Sequence, residues 1–105
     1  MNMNVLSDNQ MRKAGFTDFV KTTWYYSTML GEEVSFNVTI EKNNSLQFAI
    51  DILDDDFCQP YDYQYILGRN PTHEFALSIK AKVEKEMLYL MEQGIISNYK
   101  IGDYI

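Results

Sequence analysis

Alternation is cleanest between residues 34 and 41. Val34, Phe36, Val38 and Ile40 fall on one side of an extended chain, and Ser35, Asn37 and Thr39 on the other. That two-residue period is the mark of a strand with one face buried. Residues 22–30 precede it, rich in β-branched and aromatic side chains. Residues 46–53 follow it, with Leu46, Phe48, Ile50 and Ile52 on one face. Three such runs joined by short polar turns predict an antiparallel meander.

The turns constrain the register. A two-residue loop at Asn43-Asn44 would set Ile40 against Gln47, apolar against polar. A three-residue loop, Lys42-Asn43-Asn44, sets Ile40 against Leu46, Val38 against Phe48 and Phe36 against Ile50, with Asn44 taking a left-handed conformation that Asn tolerates. A one-residue slip would turn every side chain to the other face, so the three-residue loop is preferred. The first hairpin leaves two registers open. A loop at Gly31-Glu32 buries Tyr25 and Met29, and a loop one residue longer buries Trp24, Tyr26 and Leu30. Either register leaves large aromatics on the far face of the sheet.

Farther along, the period changes. Phe75, Ile79, Val83, Met87, Leu90 and Met91 form a stripe at helical spacing, with Lys80, Lys82, Glu84 and Lys85 mostly off it. Asn70 reads as the N-cap, Pro71 as the first helical residue and Glu74 as a first-turn acid. Gly94 reads as the stop, with Ile95 closing on Leu90. A helix over residues 71–93 would be about 34 Å long, enough to cross three strands. Ser7 and Gln10 form a capping box for a short helix over residues 8–14, which Gly15 and Phe16 terminate. Residues 59–68 place Pro60 early and Gly68 late, as a short helix does; an Ω-like loop is the alternative. Residues 96–105 carry Tyr99, Ile101, Tyr104 and Ile105, too apolar for a free tail, and are expected to dock as a short strand.

The sum is one α+β domain spanning residues 1–105. A three-stranded antiparallel meander, with room for a short fourth strand, packs on a long C-terminal amphipathic helix beside a short N-terminal helix. A chain of 105 residues buries enough surface to need no staple.

Charge narrows the function. The net charge is −6, from nine basic and fifteen acidic residues. Nucleic acid and anionic membranes are polyanions, so neither is expected as a direct partner; a basic protein surface is. The single cysteine, Cys58, rules out an intramolecular disulfide and reads as a small buried hydrophobe. The N-terminal residues have no basic-then-apolar pattern of a signal peptide, and no apolar run reaches the roughly 20 residues of a membrane span. A cytoplasmic location is the expectation.

The chemistry that stands out lies between Asn43 and Gly68, a stretch with no Lys or Arg and with Asp51, Asp54, Asp55, Asp56 and Asp62. Its first part is core strand. The remainder, residues 54–65, is a connection that mounts Asp54, Asp55, Asp56, Phe57, Tyr61, Asp62, Tyr63 and Tyr65, and these are the candidate binding residues. Tyrosines with a polar tip suit an interface, and one buried with two exposed is the expected arrangement. Adjacent aspartates on a strand point to opposite faces, and the alternating calcium-loop pattern is missing, so no metal or other cofactor is expected. His73, the lone histidine, should sit in the first turn of the long helix, and a nucleophilic pairing with Cys58 has nothing in the spacing to demand it. Trp24, Tyr25 and Tyr26 resemble a base-stacking platform only superficially, since such platforms come with basic residues.

These features predict a small acidic non-enzymatic interaction module. In its sharpest form it is an inhibitor of the phage type that imitates nucleic-acid phosphates. A structural subunit that forms a homo-oligomer through the sheet is the first alternative. A metal-dependent hydrolase using Asp54, Asp55 and Asp56 is the second.

Overall fold

A computed structural model describes residues 1–100; the expectations for Ile101, Tyr104 and Ile105 lie outside the described residues. The elements in chain order are β1 (Asn2–Met3), α1 (Asp8–Lys13), β2 (Thr23–Gly31), β3 (Val34–Glu41), β4 (Asn44–Asp54), β5 (Gln59–Pro60), α2 (Tyr63–Arg69), α3 (Glu74–Glu92) and β6 (Ile96–Ser97). Strands β2-β3-β4-β5 form one antiparallel meander, and β1 pairs with β6 in a separate small ladder. The fold is therefore α+β as expected. The short fourth strand of the meander comes from the connection after Asp54, while the tail pairs with the N-terminus.

Helix α1 follows its sequence signals closely. Ser7 and Gln10 close the capping box, and the N–H of Phe16 donates to the Met11 carbonyl (3.0 Å) while that of Gly15 donates to Arg12 (3.0 Å). This is the Schellman pair, and it needs Gly15 at φ 105°. A Cβ at Gly15 would also stand 3.1 Å from the Tyr26 ring. Gly15→Ala is therefore expected to cost more than about 1 kcal/mol in urea unfolding.

The first hairpin takes the longer-loop facing. Trp24 pairs with Ile40 and Tyr26 with Val38. Trp24 and Leu30 are buried, Tyr26 is half-buried, and Tyr25 and Met29 are exposed. Leu30 faces inward on the alternation it shares with Trp24 and Tyr26, a bulge between Met29 and Gly31 sets Gly31 opposite Val34, and Glu33 at φ 58° closes the turn.

The second hairpin corrects the expected register. Ile40 pairs with Phe48, Val38 with Ile50 and Phe36 with Ile52, two residues farther along than the three-residue loop predicts, while Glu41 pairs with Asn44. Ser45, Leu46 and Gln47 bulge out of the ladder, held by the Asn44 side chain accepting from the Leu46 N–H (3.1 Å). A shift of two preserves the facing of every later residue. It carries Ile50 and Ile52 into the core beside Val38 and Phe36, and leaves Leu46 87% exposed. Two β-branched residues in the deep core outweigh one leucine at the rim.

Helix α3 covers the inner face with Ala76, Ile79, Val83, Met87 and Leu90 buried; Phe75 and Met91 lie at the margins of the stripe. The helix begins later than expected, with His73 as its N-cap. The imidazole Nδ1 accepts from the Ala76 N–H (3.1 Å), so the neutral ring carries its proton on Nε2. Asn70 instead ends α2, its side chain accepting from the Thr72 N–H and hydroxyl. Its carbonyl accepts from the His73 N–H (3.1 Å), making a turn with Pro71 at the position where its fixed φ is favourable. The nineteen helical residues span about 28 Å. The C-terminus ends as expected: Gly94 is left-handed and the buried Ile95 donates to the Leu90 carbonyl (3.0 Å).

Candidate functional site

The acidic connection resolves into two places. The first is one end of the sheet. There the β2–β3 turn with Glu32 and Glu33 meets the β4–β5 turn. The Asp55 N–H donates to the Glu33 carbonyl (2.6 Å), and the Ser35 hydroxyl donates to the Asp55 carboxylate (2.9 Å). The Asp54 carboxylate accepts from the N–H groups of Asp56 (3.1 Å) and Phe57 (3.2 Å), so this aspartate shapes the turn. Its charge still lies at the tip beside those of Glu32, Glu33, Asp55 and Asp56, all four exposed. Phe57 projects from the same turn, 71% exposed. The ion pairs Asp8–Arg12, Asp18–Arg12 and Asp18–Lys42 lie elsewhere.

Cys58 corrects the sequence expectation. It is exposed and left-handed (φ 53°), because the turn must reverse sharply to pair Asp54 with Gln59. Pro60 is likewise no helix residue. It sits in the edge strand β5 opposite Leu53, where a missing N–H does no harm.

The second place is a cleft of about 270 Å³ that includes Asp51, Pro60, Tyr61, Asp62, Tyr63 and Gln64 in its lining. Asp62 caps α2, one oxygen accepting from the Tyr65 N–H (3.0 Å). Asp51 is exposed on the outer face of β4, three residues from Asp54 and so about 10 Å along the strand. The Tyr61 ring stands edge-on to Phe75, with centroids 5.7 Å apart. Burial, and then the Asp54 charge, push its phenol above the usual range. Tyr63 is 3% exposed, and burial raises its phenol too. Gln64 is near enough to pull the other way, but the Tyr63 hydroxyl makes no hydrogen bond of normal geometry among the described residues.

The three tyrosines thus have three environments: Tyr63 buried, Tyr61 half-buried and Tyr65 exposed. Tyr65 is engaged within its own helix, where the Arg69 guanidinium lies 5.6 Å from its ring centroid and donates to its hydroxyl (3.1 Å). Sequence reasoning missed Glu32 and Glu33, and the signal was present, since hairpin turns at alternate ends of a meander put the β2–β3 and β4–β5 turns together.

The remaining candidates are structural. Trp24 is fully buried, with the Lys42 ammonium 4.3 Å and the Arg12 guanidinium 5.2 Å from its ring. Asp18 binds both cations, at 2.9 Å and 3.2 Å, and the hydrogen bond from Lys42 leads the influences that hold its carboxyl below the usual range. Among the described residues no group of three or more His, Cys, Asp or Glu side chains could hold a metal ion. No helix among them is long and apolar enough to cross a membrane.

A four-stranded meander under one long helix is a fold seen before. The chain is similar to the crystal structure of a DUF1831 family protein from Lactobacillus plantarum, with a TM-score of 0.65 over 90% of this chain and 82% of that one. At 10% identity the likeness concerns the fold alone. No family model matches the chain, and no curated protein matches it either.

Proposed function

We propose that this protein is a non-enzymatic interaction module whose acidic sheet end binds a basic protein surface. The observation that supports it is the meeting of two turns. Glu32 and Glu33 join Asp54, Asp55 and Asp56 at one end of the sheet, tied by the Asp55–Glu33 backbone bond, with the exposed Phe57 among them. Packing like charges in one place disfavours the compact state unless a partner neutralises them, and an exposed aromatic supplies the apolar contact that anchors such an interface. A surface of spaced carboxylates is also what an imitation of nucleic-acid phosphates requires, so the natural partner class is a nucleic-acid-binding protein.

The test uses the immobilised protein and a panel of basic nucleic-acid-binding proteins, with duplex DNA as competitor. Retention at low salt, release by salt and release by DNA are expected, because exposed charges are screened within about 10 Å at 0.1 M salt. The quadruple variant Glu32→Gln, Glu33→Gln, Asp55→Asn, Asp56→Asn is expected to lose retention while keeping its fold. Asp54 is left alone because it accepts two backbone N–H groups of the turn, whereas Asn at 55 keeps the oxygen that accepts from Ser35. Equal retention by the variant would sink the reading.

A second reading has its own observation. On the outer face, Tyr25 is exposed beside Phe19 (88%) and Val20 (63%), and Met29 is exposed farther along the edge strand β2. A homo-oligomer would cover them, and light scattering that finds a monomer at every concentration would remove it. The hydrolase reading has less support, since the Asp54 and Asp55 carboxylates are already engaged in building the turn.

A further inference from the structure

Strand β2 is one edge of the meander, and part of that edge is open. Its backbone groups alternate in direction. On the β3 side, the Thr22 carbonyl accepts from the Lys42 N–H (2.9 Å); on the outer side, Tyr25 exchanges two bonds with Thr17 (2.8 Å each). The odd-numbered residues of β2 therefore point their N–H and C=O groups away from β3, as far as the bulge that follows Met29. Thr17 serves Tyr25, and the Val20 carbonyl accepts from the Thr23 N–H (3.0 Å). The N–H and C=O groups of Ser27 and Met29 have no backbone partner among the described residues, and both residues are exposed. Edge strands are ordinarily guarded by charge or proline. Residues 23–31 contain neither.

The two ends of this edge differ in charge. Beyond Gly31 stands the turn with Glu32 and Glu33, both exposed. At the other end, next to Thr17, Asp18 binds Lys42 (2.9 Å) and Arg12 (3.2 Å). Lys21 lies close enough to help hold the Asp18 carboxyl below its usual range. It is exposed and makes no ion pair among the described residues. Glu41, the other acid at this end, accepts from the Thr23 hydroxyl (3.0 Å). The strand thus runs from a corner with an unpaired lysine to an acidic turn. A parallel copy would set like charge beside like, and an antiparallel copy sets acid beside base at both ends.

We propose that two copies of this protein join edge to edge, β2 against β2, antiparallel about a twofold axis near Thr28. Ser27 of each copy exchanges two backbone bonds with Met29 of the other. The Glu32–Glu33 turn of each copy comes to the Lys21 corner of the other. On the outer face, the second copy's Met29 stands diagonally across from Tyr25, within side-chain reach. Tyr25 helps line an apolar hollow of about 300 Å³ with Phe19, Val20, Thr23 and Thr39. The proposal deepens the homo-oligomer reading, on which it rests, by naming the strand edge that joins the copies. The β4–β5 turn, with Asp55, Asp56 and Phe57, belongs to the far side of β3 and stays open to another partner.

Sedimentation velocity over a range of protein concentrations, at neutral pH and low salt, is the test. The protein is expected to form a dimer as its concentration rises. Met29→Pro removes an outward N–H and no bond to β3, so it should give a monomer with an unchanged circular dichroism spectrum. Met29→Lys puts a guarding charge on the edge and should do the same, which keeps the test decisive if the proline variant does not fold. Lys21→Glu is expected to weaken the dimer about tenfold, because like charges then face each other at both ends. Adding Glu32→Lys and Glu33→Lys to that variant should restore it. A monomer at every concentration would overturn this proposal and the homo-oligomer reading together. A dimer that persists in both Met29 variants would overturn the edge pairing alone and leave an oligomer through the outer face. A dimer indifferent to the charge swap would overturn the antiparallel placement.

Discussion

Trp24→Ala is expected to cost about 3–5 kcal/mol, a large share of the roughly 5–15 kcal/mol that holds a domain of this size together. The ring is fully buried opposite Ile40 and lies under two cations that a single carboxylate, Asp18, binds together. Truncation leaves a cavity too well walled to collapse. It also strands the Lys42 and Arg12 stems that pack over it, joining α1, β2 and the end of β3. Trp24→Phe keeps an aromatic face for the cations and should lose less. Urea unfolding followed by far-ultraviolet circular dichroism measures both, because the variants lack the only tryptophan. A loss within about 0.5 kcal/mol in the alanine variant, the range of a surface substitution, would refute this packing.

The buried tryptophan also shows where sequence reading reaches its limit. The strand carrying it was legible, but its facing was not, because Trp24, Tyr25 and Tyr26 are consecutive and either parity buries aromatics. The pairing of Trp24 with Ile40 decides the matter, and nothing in the composition of residues 29–31 announces the bulge that sets Gly31 opposite Val34. The second hairpin failed for the opposite reason. Pairing Ile40 with Leu46 satisfied the alternation locally, yet the stretch of β4 that enters the core is Ile50 to Ile52. Capping signals were reliable where they were self-contained, as at Ser7 and Gly94. At Asn70-Pro71 two local structures competed for the same residues, and the turn that ends α2 prevailed over the start of α3.

The candidate site was legible as composition and not as geometry. Its residues are consecutive, so the sequence offered one patch. The edge strand β5 bends the chain so that Asp54 to Phe57 join Glu32 and Glu33 at the sheet end, while Asp62 returns beside Asp51. Tyr63 went to the core and Tyr65 to Arg69. What remains are two smaller acidic features, a charged tip where two turns meet and a cleft between the end of β4 and the start of α2.

Tyr26, Tyr61 and Tyr63 make stability depend on alkaline pH. Tyr26 donates its hydroxyl to Glu86 (3.0 Å), and its ring lies among Phe16, Phe36 and Tyr89. Burial, and then the bond to Glu86 and its charge, raise this phenol well above its ordinary range. Burial raises Tyr63 and Tyr61 in the same direction. In the unfolded chain these phenols release protons near pH 10, before the folded protein can. Their contribution is therefore fully present below about pH 10 and is lost as pH rises toward the folded values. The urea midpoint is expected to hold level to about pH 9 and then fall. Tyrosinate absorbance from the buried phenols should appear together with unfolding, not ahead of it. Tyr26→Phe should lower the midpoint at neutral pH, since Glu86 loses its donor, yet fall less steeply above pH 10, since the unfolded state then has one phenol fewer to ionise. Full tyrosinate absorbance in the folded protein, or an alkaline slope unchanged by Tyr26→Phe, would show that Tyr26 does not govern this limb.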